Sequence, residues 1–364
     1  MILTGRRLRP ASIAVGLFMS ASLVLVVAAL ARAHATVTPL LTARSLHEAG
    51  TQAWHGFAMT VVNPWYWGFL VVLSVLQWLF PARREQRVPT SVELCTDAVW
   101  FVMNSAMQVT VVALVLGGLT IADTEITGGW SLDLQSRLGF WGLAVFAFVV
   151  ADLLAWVAHW AHHMVPTLWR FHMVHHSQVN LNVLSDNRQH LGETIVIASL
   201  VFVPSRLLGL DADAAGTLAF LTLFWCAIIH ANIRTNFGPL RWVLISPQAH
   251  RVHHSIMARH YNTNFGSVFS VWDHIAGTMY RGTDEYPATG IDDRDFPLEQ
   301  PADWRPWRLV AVWWRQTVYP FRAIVRLYRS GPDDAASAVG LAAEAASGEV
   351  QPQEARSERW TRAA

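Results

Sequence analysis

The 364-residue chain contains no lysine; all 27 of its basic residues are arginine. Charge of either sign is scarce, at 15% of residues, where an ordinary globular domain carries about 25%. Long stretches of the chain must therefore never meet water. The arginines nearly cancel 26 acidic residues, leaving a formal net charge of +1. No global field remains to attract a polyanion, so nucleic acid is excluded as a partner. Cysteine is almost missing too. Cys95 and Cys226 lie in or beside apolar segments, which excludes both a disulfide framework and a cysteine metal site.

What the chain does have is apolar mass. Hydrophobic residues make up 53% and aromatics 11%, with a mean hydropathy of +0.29. Several apolar runs approach bilayer-spanning length, and the expected fold is an all-α integral membrane helical bundle. The first run, about Ser12 to Leu30, follows Arg6, Arg7 and Arg9 and precedes Ala33-His34-Ala35. Residues 1–35 therefore fit a cleavable signal peptide or a signal-anchor helix, and both readings place the following segment outside.

Residues 36–137 are expected to hold the second and third spans with outer loops. Asn63 is the expected N-cap and Pro64 the first position of a helix that stops at Pro81. Arg83, Arg84 and Arg87 follow, which marks that end as cytoplasmic. A third span from Ala98 to Leu119 leads to an outer loop with Asp123 and Glu125. A fourth, from Leu138 to about Ala158, opens a catalytic domain over 138–285. Two shorter runs, Thr194 to Leu210 and Gly216 to Ala231, look like a hairpin, the first of them interrupted at Pro204, Ser205 and Arg206. Whether that pair crosses or re-enters stays open. Over 286–330, aromatic residues alternate with Arg305, Arg308, Arg315, Arg322 and Arg326, a mixture suited to helices in the membrane interface. The polar composition of 331–364 fits a disordered tail.

Of 16 histidines, 13 fall between His159 and His274. His159, His162 and His163 stand where the fourth span ends, His172, His175 and His176 follow shortly, and His250, His253 and His254 repeat the second group. Residues three and four apart share a helix face, so each group can direct two or more imidazoles at one point. A lone histidine on an apolar face is usually a satisfied core residue. Eight of these nine, with His162 set aside as off the line of His159 and His163, stand in three helix-spaced groups at membrane boundaries and have no packing rationale, because an unpaired buried imidazole costs free energy. His190 and His230 are candidate further ligands or donors to ligands, whereas His260 and His274 are expected to be surface or capping residues. His34, His47 and His55 lie on the outer side.

A catalytic zinc needs about three protein ligands, so eight or more imidazoles imply two ions. Imidazole suits Zn, Cu, Fe and Ni alike. No HExxH is present, since His47-Glu48 is followed by Ala49, Gly50 and Thr51. A zinc-dependent membrane hydrolase would therefore lack its usual base. A non-enzymatic metal-binding membrane protein of transporter type would place ligands near the midplane, not at one end.

The stretch from His159 to Ser177, HWAHHMVPTLWRFHMVHHS, resembles the first two histidine boxes of the fatty acid hydroxylase and sterol desaturase superfamily of membrane di-iron oxygenases. Pro247 to Ser255, PQAHRVHHS, is similar to its third box. Asn264-Phe265-Gly266, Trp272-Asp273 and Gly277-Thr278 match the segment that closes the catalytic domain. The resemblance covers about Asp152 to Tyr280. Departures are Trp160 where arginine is frequent, an additional His162, Leu191 in the Arg188-x-His190-x-x-Glu193 stretch, and Asn262 or His260 for an acidic residue.

The resemblance implies two iron ions held in a cytoplasm-facing, histidine-rich site by His159, His163, His172, His175, His176, His250, His253 and His254, with His190 and His230 as further candidates. It implies O2 as co-substrate and hydroxylation or desaturation of a C–H bond in a lipid of sterol, fatty acyl, alkylglycerol or carotenoid type. No haem or flavin motif is present, so electrons would come from a separate ferredoxin, rubredoxin or cytochrome. The expected location is a bacterial inner membrane. Asp152, seven residues before His159 and so about 10 Å along the helix, is expected to orient a histidine from another helix or to partner an arginine. Glu193, Asn264 and Asp273 carry the same pair of expectations.

Overall fold

The computed structural model describes residues 61–86, 91–107, 134–208 and 222–329, with isolated positions at 128, 130 and 132. The expectations for 1–35, for the outer loop at Asp123 and Glu125 and for 331–364 lie outside the described residues, as do parts of the third span and of the hairpin. Among the described residues the chain is helical and has no strands, only isolated bridges such as Leu244 with Phe269.

Helix α1, Pro64–Leu79, begins where local chemistry dictates. The Asn63 side chain accepts from the N–H groups of Trp65 and Tyr66, and Pro64 supplies a preset φ at the first position. Its buried face is Tyr66, Leu70 and Leu73, the i, i+4, i+7 pattern of one helix stripe. Trp65, Val71, Val72, Val75 and Trp78 are exposed on its other faces. Helix α2 covers 92–107.

Helix α3, Leu134–Met164, bends at Gly139, whose φ of 65° and ψ of 173° no helix accommodates. From Trp141 to Met164 it runs for 24 residues, long and apolar enough to cross a membrane. That is about 36 Å of helix against a hydrocarbon layer of about 30 Å, and among the described residues it is the one candidate membrane span. The span does not stop before the first histidine group; it carries that group as its own last turns.

Val165 and Pro166 break the helix, and α4, Pro166–His176, folds back from there. Helix α5 covers Leu191–Leu208 and continues through Pro204, where an interruption was expected. A proline removes one helical hydrogen bond, and apolar helices accept this when neighbouring groups re-satisfy the freed carbonyl. Helix α6 covers 222–230. Helix α7, Pro247–His253, starts at Ser246, whose hydroxyl accepts from the N–H of Ala249. Helix α8 is Val271–Ala276 and helix α9 is Pro306–Arg329.

Three apolar clusters surround the histidines. One joins α1 to α2 and α6 through Tyr66, Leu70, Leu73, Phe101 and Ala227. A second joins α2, α4 and α9 through Trp100, Met173, Val174, Trp313 and Tyr319. The third packs Trp156, Val157, Trp160 and Ala161 of α3 against Phe265.

A buried ion network locks these layers together. Arg188 is wholly enclosed; its Nε donates to Asp97 at 2.7 Å, and its two terminal nitrogens donate to both oxygens of Glu299 at 2.9 and 3.2 Å. Gln316 on α9 donates to Glu299 and accepts from the Trp100 indole. One guanidinium thus ties α2, the segment before α5 and the loop ahead of α9. Arg188→Met would leave two buried carboxylates facing each other without a cation. The expected loss is about 3–5 kcal/mol of stability, checked by thermal unfolding of the detergent-solubilised protein, whereas Arg326→Met, at an exposed ion pair with Asp295, should cost less than about 1 kcal/mol.

Candidate metal centre

The backbone returns each histidine group to one place. Helix α3 presents His159 and His163, one turn apart, and the turn at Val165 and Pro166 aims α4 back at them. His172, His175 and His176 therefore meet the α3 pair, while α7 brings His250, His253 and His254 and the end of α6 brings His230. Nine ring nitrogens converge in two sets. His159, His163, His172, His176 and His253 have ligand-capable atoms within 4.8 Å of one another, and so do His175, His230, His250 and His254. The two sets adjoin where the rings of His176 and His254 stack with centroids 4.2 Å apart.

The orientation of the rings decides what the site can hold. His159 donates from Nδ1 to the Phe265 carbonyl, His253 to the Thr263 carbonyl and His230 to the Cys226 carbonyl, each at 2.8 Å. A carbonyl oxygen only accepts, so in these rings the proton sits on Nδ1 and Nε2 is a bare lone pair. Nε2 of His159 and of His253 is buried and has no partner. Other Nε2 atoms face one another: His163 to His176 and His176 to His172 at 3.1 Å, His230 to His250 at 2.9 Å and His250 to His254 at 3.1 Å. Lone pairs converging in a buried space without enough protons to share repel, and a cation at the centre of each set removes the conflict. The donor sets fit two metal ions, one with five imidazoles and one with four.

Electrostatics point the same way. Burial, and then the neighbouring imidazoles, hold His175, His176, His250 and His254 well below the ordinary histidine range, and burial takes His253 down to about 3. These rings are neutral at physiological pH and offer lone pairs without first losing a proton.

Of the other expected site residues, Glu193 meets the ligand set: its carboxylate accepts from Nδ1 of His172 at 2.9 Å. Such a bond fixes the tautomer and raises the basicity of the nitrogen that faces the metal. Asp152 does something different from either expectation. Among the described residues it meets no histidine and no arginine; it accepts from the backbone N–H of Val268 and Phe269 and from the Trp272 indole. Asp273 likewise gathers the N–H groups of Phe265 and Gly266, the Trp156 indole and the Thr278 hydroxyl. Asn264, at a φ of 57°, donates to the Ala249 carbonyl and accepts from the Tyr280 N–H.

These three side chains hold the loop over 263–270, and that loop carries the carbonyls that orient His159 and His253. Their effect on the metal ligands runs through backbone, which a reading of side-chain spacing cannot see. Gly266 belongs to the same device, since a Cβ there would lie 2.5 Å from the Phe269 carbonyl oxygen and 2.7 Å from Ile245.

His190 stands outside both sets. Its Nε2 donates to the Thr317 carbonyl on α9 and its Nδ1 accepts from the Gly192 N–H, so both nitrogens are committed. His162 donates to the Ala158 carbonyl and also stays outside. His274 stacks on Trp242, and His260 is buried against Ser255 and Glu285, not on the surface. Sequence reasoning missed Asp186, whose carboxylate lies 3.8 Å from Nδ1 of His230 and is pushed up to about 7 by burial and then by the charge of Glu193. No motif marks it.

Acid should destabilise the metal-free protein. His253 titrates near 3 in the fold and near 6.5 in an unfolded chain, so below about 6.5 the unfolded chain takes up a proton that the fold refuses. The stability contributed by this neutral ring is complete above about pH 6.5 and is lost at about 1.4 kcal/mol per pH unit as pH falls towards 3. Thermal midpoints of metal-stripped protein should be flat from about pH 8 to 7 and fall steadily from about 6.5 to 5; a midpoint constant over the lower window would contradict this assignment.

Residues 144–278, which include all nine converging histidines, match the fatty acid hydroxylase family. The chain is 33% identical over 136 residues to an ornithine lipid hydroxylase of Rhizobium tropici, a match covering 37% of this chain and 41% of that protein. It is 32% identical over 135 residues to the alkylglycerol monooxygenase of Homo sapiens, covering 36% of this chain and 29% of the relative, and 27% identical over 136 residues to human cholesterol 25-hydroxylase, covering 37% and 50%. The chain thus spans half or less of the length of each of these relatives. No solved structure matches it. The three histidine boxes on α3, α4 and α7, and the loop that orients them, all lie inside residues 144–278, the segment over which this chain is similar to the fatty acid hydroxylase family.

Proposed function

We propose that the protein is an O2-dependent membrane oxidoreductase that hydroxylates or desaturates a C–H bond of a lipid. The observation that carries this reading is the division of nine imidazoles, eight buried and His159 half-buried, into sets of five and four. It provides for two adjoining metals with, among the described residues, no carboxylate in the converging sets, and the nearby Glu193 is engaged by Nδ1 of His172, the ring nitrogen turned away from the convergence. Two irons held there would couple the two-electron reduction of O2 to removal of hydrogen from an unactivated C–H bond.

The chain's own residues supply position and exclusion. His159, His163, His172, His176 and His253 would hold one iron; His175, His230, His250 and His254 would hold the other. Glu193 keeps the His172 ring in the tautomer that faces the metal. The carbonyls of Thr263, Phe265 and Cys226 do the same for three more rings. Phe265, buried beside His159 and His163, helps keep water from the α3 side of the centre. Its apolar ring suits a lipid hydrocarbon as neighbour.

The relatives act, by their names, on an ornithine lipid, an alkylglycerol and cholesterol. A substrate with a polar head and a long hydrocarbon portion, arriving sideways from the bilayer, suits a site at the end of the α3 span. Arg83 and Arg84 after α1 favour a cytoplasmic position for that end, in a bacterial inner membrane, with electrons from a separate ferredoxin, rubredoxin or cytochrome.

Purified protein should contain about two irons per chain and consume O2 with a reductant only when a lipid substrate is present. A single zinc per chain and no O2 uptake after iron reconstitution would refute the reading. His172→Ala should abolish both iron at its set and turnover, whereas Glu193→Gln should keep the protein folded and lower iron affinity or turnover about 10- to 100-fold. On the membrane map, cysteines placed at the exposed positions Arg281 and Asp284 should resist an impermeant thiol reagent in intact cells; labelling from outside would reverse the orientation.

A further inference from the structure

Helix α9 has two apolar faces, and the fold uses one of them. Leu309, Val312, Trp313, Gln316, Tyr319, Pro320 and Ala323 are buried against the rest of the chain. Roughly opposite, Trp307, Trp314, Phe321 and Tyr328 stand 65%, 59%, 54% and 73% exposed, each seven residues after the last. Val310 and Val325 extend the same stripe, at 40% and 47% exposure. Each of the four aromatics is followed by an arginine: Arg308, Arg315, Arg322 and Arg329, all exposed. One residue is about 100° of helix rotation, so a row of guanidinium groups runs alongside the aromatic row, about a quarter turn round. Helix α9 contains no Asp or Glu.

A soluble partner face is a poor explanation for this pattern, and a second copy of the chain is a worse one, since two such faces would oppose arginine rows. A lipid surface satisfies both rows at once. Aromatic rings settle at the boundary of headgroups and acyl chains, and arginines beside them reach phosphates.

We propose that α9 lies in the plane of an anionic phospholipid surface, with Trp307, Trp314, Phe321 and Tyr328 in the headgroup–acyl boundary and Arg308, Arg315, Arg322 and Arg329 on the headgroup phosphates. The inference rests on neither the metal nor the reaction. It has a consequence for both, because α9 is also fastened, along the edge of this stripe, to the segment that carries the metal centre. The Thr317 carbonyl accepts from His190, and the Phe321 ring packs on Phe171 and His190 with centroids 5.6 and 5.5 Å away. Phe171 directly precedes the ligand-set residue His172. The depth at which α9 rests therefore sets the height of the histidine centre relative to the bilayer.

The test uses the full chain with Cys95→Ser and Cys226→Ser, reconstituted in nanodiscs of phosphatidylcholine mixed with phosphatidylglycerol. Nitroxide labels are attached at Trp314→Cys, Arg315→Cys, Phe321→Cys or Arg322→Cys, one at a time. Power-saturation electron paramagnetic resonance then compares collision with O2, which concentrates in the bilayer, and with a water-soluble nickel chelate. Labels at 314 and 321 should favour O2, and labels at 315 and 322 should favour the chelate. Equal chelate access at all four positions would overturn the proposal, as would protection from both agents with spin–spin broadening, which would mean that a second copy covers the stripe.

The charge component is read separately, by quenching of a bimane at position 314 with brominated phosphatidylglycerol or brominated phosphatidylcholine. The anionic lipid should quench more strongly, with each arginine contributing about fivefold to the preference. The preference should shrink in Arg315→Gln/Arg322→Gln and vanish in the variant with all four arginines replaced. These positions are exposed, and an unchanged melting curve shows that each variant is folded. No lipid preference in the parent protein would remove the anionic surface from the proposal and refute it.

Discussion

Nine imidazole rings with their lone pairs turned towards two points form an arrangement that tolerates no vacancy in its chemistry. Each ring gives up hydration on burial, and most have the Nε2 edge pointed at another nitrogen instead of at a donor. Such a centre gains its stability from cations, and everything around it is arranged to keep the rings from turning away. The carbonyls of Cys226, Thr263 and Phe265 and the carboxylate of Glu193 each grip an Nδ1–H. Rotating any of these rings to relieve the crowding would break a buried hydrogen bond.

The scaffold places its remaining buried charge at two distances from the metals. Close in, Asp152 and Asp273 serve backbone amides, so that a short irregular loop is as firmly fixed as a helix. Further out, Arg188 bridges Asp97 and Glu299, joining α2 and the segment before α5 to the loop ahead of α9. Buried ions are weak sources of net stability but strong enforcers of one arrangement, because each alternative packing strands a charge. A metal centre built from four separate chain segments depends on that kind of enforcement.

Much of the site was legible because imidazole has no other reason to cluster. The three histidine groups on α3, α4 and α7 are visible from spacing alone, and His230 was a candidate ligand or donor to a ligand. His190 misled for the opposite reason: it sits in a stretch that resembles a ligand motif, but its partner, the Thr317 carbonyl, lies 127 residues away. Asp152, Asn264 and Asp273 misled because many of their partners are backbone groups, and every residue except proline has an N–H. Pro204 suggested a break that α5 does not make, since the environment of a helix decides whether a missing hydrogen bond matters. The second face of α9 was visible as a mixture of aromatics and arginines, but its seven-residue register gained meaning only once the buried face was known.

The merging of the candidate span with the first histidine box has a geometric consequence of its own. His159 lies 18 residues beyond Trp141 on one continuous helix, about 27 Å along its axis. Set roughly upright in a hydrocarbon layer of about 30 Å, that helix is a dipstick with the reactive mark near one end. A lipid that keeps its head in the adjacent leaflet would bring the carbons nearest its headgroup to that mark and leave its terminal methyl far below. The span length would then decide which bonds of a substrate come within reach, before any pocket residue has touched it.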